Sequence, residues 1–101
     1  MYAKVQRREL AVTLSMNELA QAREVVRRVL EELRLDAYLF EVEPHEGHWE
    51  VKVECAAADG WQTCRLRAER EYLLRGADDA VVHEVLLDDW REALAECRRK
   101  A

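Results

Sequence analysis

Two runs of alternating side chains, His48 to Cys55 and Trp61 to Ala68, restrict this chain more than any other feature. Trp49, Val51, Val53 and Cys55 alternate with Glu50, Lys52 and Glu54, and Cys64, Leu66 and Ala68 continue the pattern on the far side of Asp59-Gly60. A period of two puts every large apolar side chain on one face of a strand, so the sheet must have one dry face and one wet face. Asp59-Gly60 has the composition of a two-residue hairpin turn. That turn sets Cys55 beside Cys64, Val53 beside Leu66 and Val51 beside Ala68.

A third strand is expected over Asp36 to Glu43, with Tyr38, Phe40 and Val42 inward and Leu39 and Glu41 outward. Pro44-His45-Glu46-Gly47 supplies the turn into the next strand. This loop pairs Val42 with Trp49, Phe40 with Val51 and Tyr38 with Val53, apolar against apolar throughout.

Upstream, Leu10, Val12 and Leu14 alternate with Glu9, Ala11 and Thr13, which predicts a further strand over Lys4 to Leu14. Ser15-Met16-Asn17-Glu18 reads as a capping box that starts a helix ending near Leu33. Leu19, Ala22, Val26, Val29, Leu30 and Leu33 form its buried stripe. Arg23, Arg27 and Arg28 on its other side are a conceivable phosphate face, but interleaved glutamates cancel most of the field. Glu69 to Gly76 could extend the strand or form a short helix closed by the glycine, and a short helix or turn is favoured. Asp78 or Asp79 caps a last helix reaching about Arg99, with Val82, Val85, Leu86, Trp90, Ala93, Leu94 and Cys97 inward and Leu87 off the stripe.

The expected fold is therefore an α+β two-layer sandwich of order β-α-β-β-β-α. A mostly antiparallel four-stranded sheet carries two helices on one face, in a single domain over residues 1–101. The α-β-β-β-α part is similar in element order to double-stranded-RNA-binding domains, without their lysine-rich helix start. Small acidic secretion chaperones likewise lay helices on a sheet and dimerise. Both are likenesses of architecture and carry no function by themselves.

A net charge of −5 argues against nucleic acid as a partner. No apolar run is long enough to span a bilayer. The polar start, Met1 to Arg8, has no secretory signal pattern, so a cytoplasmic location is expected. Three cysteines are an odd number for a closed disulfide framework and read as buried small side chains. The last helix is long enough to bring Cys97 back toward Cys55 and Cys64, which would gather three thiols without an evident fourth ligand.

No catalytic residue, cofactor site or metal site is assigned. The chain has no glycine-rich phosphate loop, and Ser15 is already used as a cap. His45-Glu46-x-His48 reads as exposed turn histidines rather than a metal frame, and His83 as a boundary residue. The wet face of the sheet should carry Ala11, Thr13, Leu39, Glu41, Glu50, Lys52, Glu54, Trp61, Thr63, Arg65 and Arg67. A solvated face has no need of Leu39 or Trp61, so Leu39, Trp61, Thr63, Arg65, Glu41 and Lys52 are the candidate interface. The leading expectation is a non-enzymatic protein-interaction module, adaptor-like, chaperone-like or regulatory, that associates with itself or another protein through this face or an edge strand. The alternative is a small-ligand or metal/redox sensor built on Cys55, Cys64 and Cys97. A third reading, an acidic mimic of nucleic acid, needs the acids to line up on one surface.

Overall fold

A computed structural model describes the backbone of residues 2–46 and 48–100, and the side chains of 16–46 and 48–100. The order is α1 (Tyr2–Leu33), β1 (Tyr38–Pro44), β2 (Trp49–Ala57), β3 (Gly60–Ala68), α2 (Arg70–Arg75) and α3 (Ala80–Ala93). The strands form one antiparallel sheet in the order β1-β2-β3. All three helices pack on the same side, around one core.

The sheet thus has three strands among the described residues, not four. The stretch expected as a strand, Lys4 to Leu14, is helical and continuous with the rest of α1. The reason is local. No glycine or proline occurs before Pro44, and Ala3, Lys4, Gln6, Arg7, Arg8, Glu9, Leu10 and Ala11 are nearly all strong helix formers. Three alternating apolar residues do not outweigh that bias. Ser15 lies inside the helix and so cannot be its N-cap. Its side chain, like those of Ala11 and Thr13, lies outside the described residues. Among the described residues no strand precedes α1, so the crossover expected from Lys4–Leu14 is not formed.

The rest of α1 follows its pattern. Ala22, Val26, Val29, Leu30 and Leu33 are buried, joined by Val25, and Leu19 packs at the margin. Arg34 ends the helix with φ 59°, the left-handed conformation common just past a helix C-terminus.

Both hairpins form with registers two residues away from those expected. Val42 faces Val51, Phe40 faces Val53 and Pro44 faces Trp49. Across the second hairpin Val51 faces Leu66, Val53 faces Cys64 and Cys55 faces Gln62. A slip of two leaves every side chain on its own face, so the dry side is as read while the partners differ. Ala58 and Asp59 make the second turn, and Gly60 follows at φ 113°, where a Cβ would be strained.

Helix α2 is the short helix expected and ends at Gly76. Asp79 caps α3, its side chain accepting from the backbone N–H groups of Val81 and Val82. Helix α3 stops at Ala93, about six residues before the expected end near Arg99. Cys97 to Lys100 instead run as an extended strap. Arg98 N–H donates to Ala56 O (2.7 Å), Lys100 N–H to Arg34 O (2.8 Å), and Asp36 N–H to Arg98 O (2.8 Å). Arg98-Arg99-Lys100 are thus not the charged end of a helix. The apolar stripe of α3 is also rotated: Val82, Leu86, Leu87 and Trp90 are buried, while Val81 and Val85 face out. Leu87 is needed because α3 also packs against α1 and α2.

Two outcomes follow. A Cβ at Gly76 would stand 3.0 Å from Leu86 Cδ1 and 3.0 Å from Val25 Cγ1, at the meeting point of three helices. Overpacking there costs about 1–3 kcal/mol, offset by the gain of about 0.4–1 kcal/mol for leaving glycine at a helical φ. Gly76→Ala should therefore lower stability in urea by about 1 kcal/mol. Secondly, the Val82 N–H bond, with further help from Arg75 and the Val81 N–H, holds the Asp79 carboxyl below its ordinary pKa. A depressed carboxylate stabilises the fold above its unfolded pKa, and the contribution is lost as pH falls through the folded value. The stability gap between the native chain and Asp79→Ala, followed by urea melts at a series of pH values, should be full at neutral pH and shrink in acid.

Candidate functional site

The sheet face away from the helices is bare. Its rows run Leu39–Glu54–Thr63, Glu41–Lys52–Arg65 and Glu43–Glu50–Arg67 across β1, β2 and β3. Beyond the first row Ala56 faces Trp61, and its N–H donates to Ala37 O. All six candidate interface residues, Leu39, Trp61, Thr63, Arg65, Glu41 and Lys52, lie on this one surface. Leu39 and Trp61 are 65% and 63% exposed, so neither is committed to the core.

The charges on this face are ordered. Strand β1 presents Glu41 and Glu43, β3 presents Arg65 and Arg67, and β2 alternates Glu50, Lys52 and Glu54. One edge of the face is acidic and the other basic. Arg65 donates to Glu50 Oε1 at 2.7 Å. That hydrogen bond is the main cause that lowers the Glu50 pKa, with the Arg65 charge and His45 and His48 assisting. Lys52 lies between Glu54 (3.6 Å) and Glu41 (3.9 Å).

The histidine turn is arranged differently from its sequence grouping. The His45 and His48 rings stack with centroids 5.2 Å apart, above a shallow pocket of about 300 Å3 that Glu69, Arg70 and Glu71 also line. Glu43 and Glu50, not Glu46, come within reach of His45. Only His45 is exposed, Glu43 and Glu50 are half-buried, and Glu50 is already bonded to Arg65. His83 bridges to Glu32 on α1 through Nε2, a boundary residue as expected. Of the three arginines on the outer side of α1, Arg27 is paired with both Glu24 and Glu31.

At the opposite end of the sheet lie the sulfurs. Cys55, fully buried at the end of β2, is joined to Cys97 of the strap in a disulfide, with the Cα atoms 5.6 Å apart. The odd cysteine count hid this pair, because the third cysteine, Cys64, remains free. Cys64 faces Val53 rather than Cys55, yet it lies diagonally beside Cys55 on the same dry face. The three sulfurs all lie within 4.8 Å of one another. Burial raises the Cys64 pKa, and the Glu96 charge adds to the effect. Glu96 in turn accepts from Gln62 Nε2 at 2.6 Å. The expected approach of Cys97 to the other two is found, although the strap rather than the helix delivers it.

Comparison with known protein families, with curated proteins and with solved structures gives no match. Among the described residues, no helix is long and apolar enough to cross a membrane.

The disulfide closes a loop of 42 residues. In the chain-entropy account a cross-link of that span contributes about 3–4 kcal/mol by restricting the unfolded chain. Reduction should lower the urea midpoint accordingly. Before reduction, mass spectrometry should detect a single slowly alkylated thiol, at Cys64, because the thiolate is the reactive form.

Proposed function

We propose that this chain is a non-enzymatic interaction module that pairs with a second copy of itself through the bare face of its sheet. The observation that carries the proposal is the division of that face into an acidic β1 edge and a basic β3 edge, with Leu39 and Trp61 exposed on the same surface.

A two-fold axis parallel to the strands lays β1 of one copy over β3 of the other. Glu41 and Glu43 then meet Arg65 and Arg67 of the second copy, and the reverse contacts form by symmetry. Leu39 comes opposite Thr63, and Trp61 comes over the small Ala37 and Ala56. An axis perpendicular to the strands would instead stack β1 on β1 and β3 on β3, acid on acid and base on base, so the edge strands favour the parallel axis, while β2 lies over β2 under either. The mixture of signs also counts against the nucleic-acid mimic, which needs unrelieved acid.

Three strands at ~4.8 Å spacing and about nine residues of ~3.3 Å each make a face of roughly 400 Å2. A standard interface buries about 800 Å2 per partner, so the dimer is weak and concentration-dependent. A cytoplasmic location belongs to the same proposal.

Sedimentation velocity over a concentration series tests it. Wild type should shift from monomer toward dimer. Leu39→Glu with Trp61→Glu should weaken association at least tenfold, about 1.4 kcal/mol, while circular dichroism stays unchanged. Glu41→Arg alone should also weaken it, and adding Arg65→Glu should restore part of the loss. A wild type that stays monomeric at every concentration would end the proposal.

A further inference from the structure

We infer that Cys55, Cys64 and Cys97 form, once the disulfide is reduced, a binding site for a thiophilic metal ion of the Zn2+ type. Oxidation would switch that site off. The inference does not depend on the dimer.

Geometry carries the argument. Three cysteine sulfurs lie within 4.8 Å of one another, contributed by β2, β3 and the strap. Zinc holds thiolates at ~2.3 Å, which spaces tetrahedral sulfur ligands roughly 3.8 Å apart. On reduction the Cys55 and Cys97 sulfurs must part to that spacing, with the Cys64 sulfur already within 4.8 Å of both. Cys55 and Cys97 are buried and Cys64 is partly exposed, so an ion would enter from the Cys64 side. Three thiolates leave the fourth position for a water molecule. Soft sulfur donors select zinc, copper(I) and similar ions over magnesium or calcium.

The switch balances chemically. A dithiol reductant gives two electrons and two protons to the Cys55–Cys97 bond and becomes a disulfide itself, leaving two protein thiols. The metal ion then displaces the protons of all three thiols as three metal–sulfur bonds form. An oxidised dithiol reverses the step by disulfide exchange: it takes two electrons from the Cys55 and Cys97 thiolates and two protons from solvent, becomes the dithiol, and leaves the Cys55–Cys97 bond re-formed and the ion released.

The probe is Zn2+ added to the full chain, reduced by a phosphine that does not bind the metal. Equilibrium dialysis should give one Zn2+ per reduced chain and none per oxidised chain. Co2+ in its place should produce the sulfur-to-metal charge-transfer absorption and visible bands of a tetrahedral thiolate site. Cys64→Ser keeps the disulfide and the core. In its reduced form it should lose more affinity than the 10–100-fold typical of removing an outer-shell partner. If reduction unfolds the chain, Zn2+ should restore the far-ultraviolet circular dichroism of the wild type and not of Cys64→Ser. Failure of the reduced chain to bind or refold with Zn2+ would overturn the inference. So would equal affinity in Cys64→Ser, or a ratio of one ion to two chains.

Discussion

The inward face of β2 is the constraint that every other element satisfies. Trp49, Val51, Val53 and Cys55 are at most 3% exposed, and β2 alone among the strands is hydrogen-bonded on both sides. Burying each such side chain contributes about 1.5–3 kcal/mol relative to leaving it wet. A three-stranded sheet cannot do this unaided, since it leaves one face open. Helix α1 covers that face with Val25, Val26, Val29 and Leu30, and α3 adds Leu86, Leu87 and Trp90. Gly76 lets α2 close the corner between them because a larger residue would collide with both neighbours.

The same preference explains what was legible in the sequence. Alternation identifies the face of a side chain, and the apolar residues expected inward on β1, β2 and β3 lie on the core side, although Gln62, opposite Cys55, shares that side without being expected there. It does not identify the partner. Shifting a strand by two residues preserves the pattern, so Val42 suits Trp49 and Val51 equally well. The turns decide between them: Gly60 adopts its positive φ after the two turn residues instead of within the pair. The N-terminal segment failed for a related reason. Leu10, Val12 and Leu14 fit a period of two over a short window, whereas strong helix formers, with no glycine or proline among them, predominate over the length of α1.

Sites were legible in composition and not in arrangement. Leu39 and Trp61 stood out as apolar residues at outward positions, and they are exposed on one surface. The acidic and basic edges depend on which strands lie at the margins, and that requires the sheet order as well as the residue types. The approach of Cys97 to Cys55 and Cys64 is as expected, but the strap delivers it instead of a helix running to Arg99, and its covalent partner was not foreseeable from the count. A count of three cysteines suggests no complete pairing, while the fold pairs two and leaves the third beside them.

That leftover thiol also bears on how the strap is held. Three backbone hydrogen bonds, Arg98 to Ala56, Asp36 to Arg98 and Lys100 to Arg34, join it to the end of β2 and to the α1–β1 connection. At about 0.5–1.5 kcal/mol net each, they favour the strap's position without any sulfur bond. Leu94 and Cys97 are buried on either side of the bend, so displacing the strap would also open the end of the core. The disulfide therefore reinforces a geometry that the backbone already favours. Reduction should weaken the fold as a whole more than it moves Cys97. A site whose ligands are positioned by backbone contacts loses less entropy on binding than one assembled from loose chain. The strap's backbone contacts are thus what the metal site inferred above needs to keep Cys97 beside Cys55 and Cys64 once the Cys55–Cys97 bond is reduced.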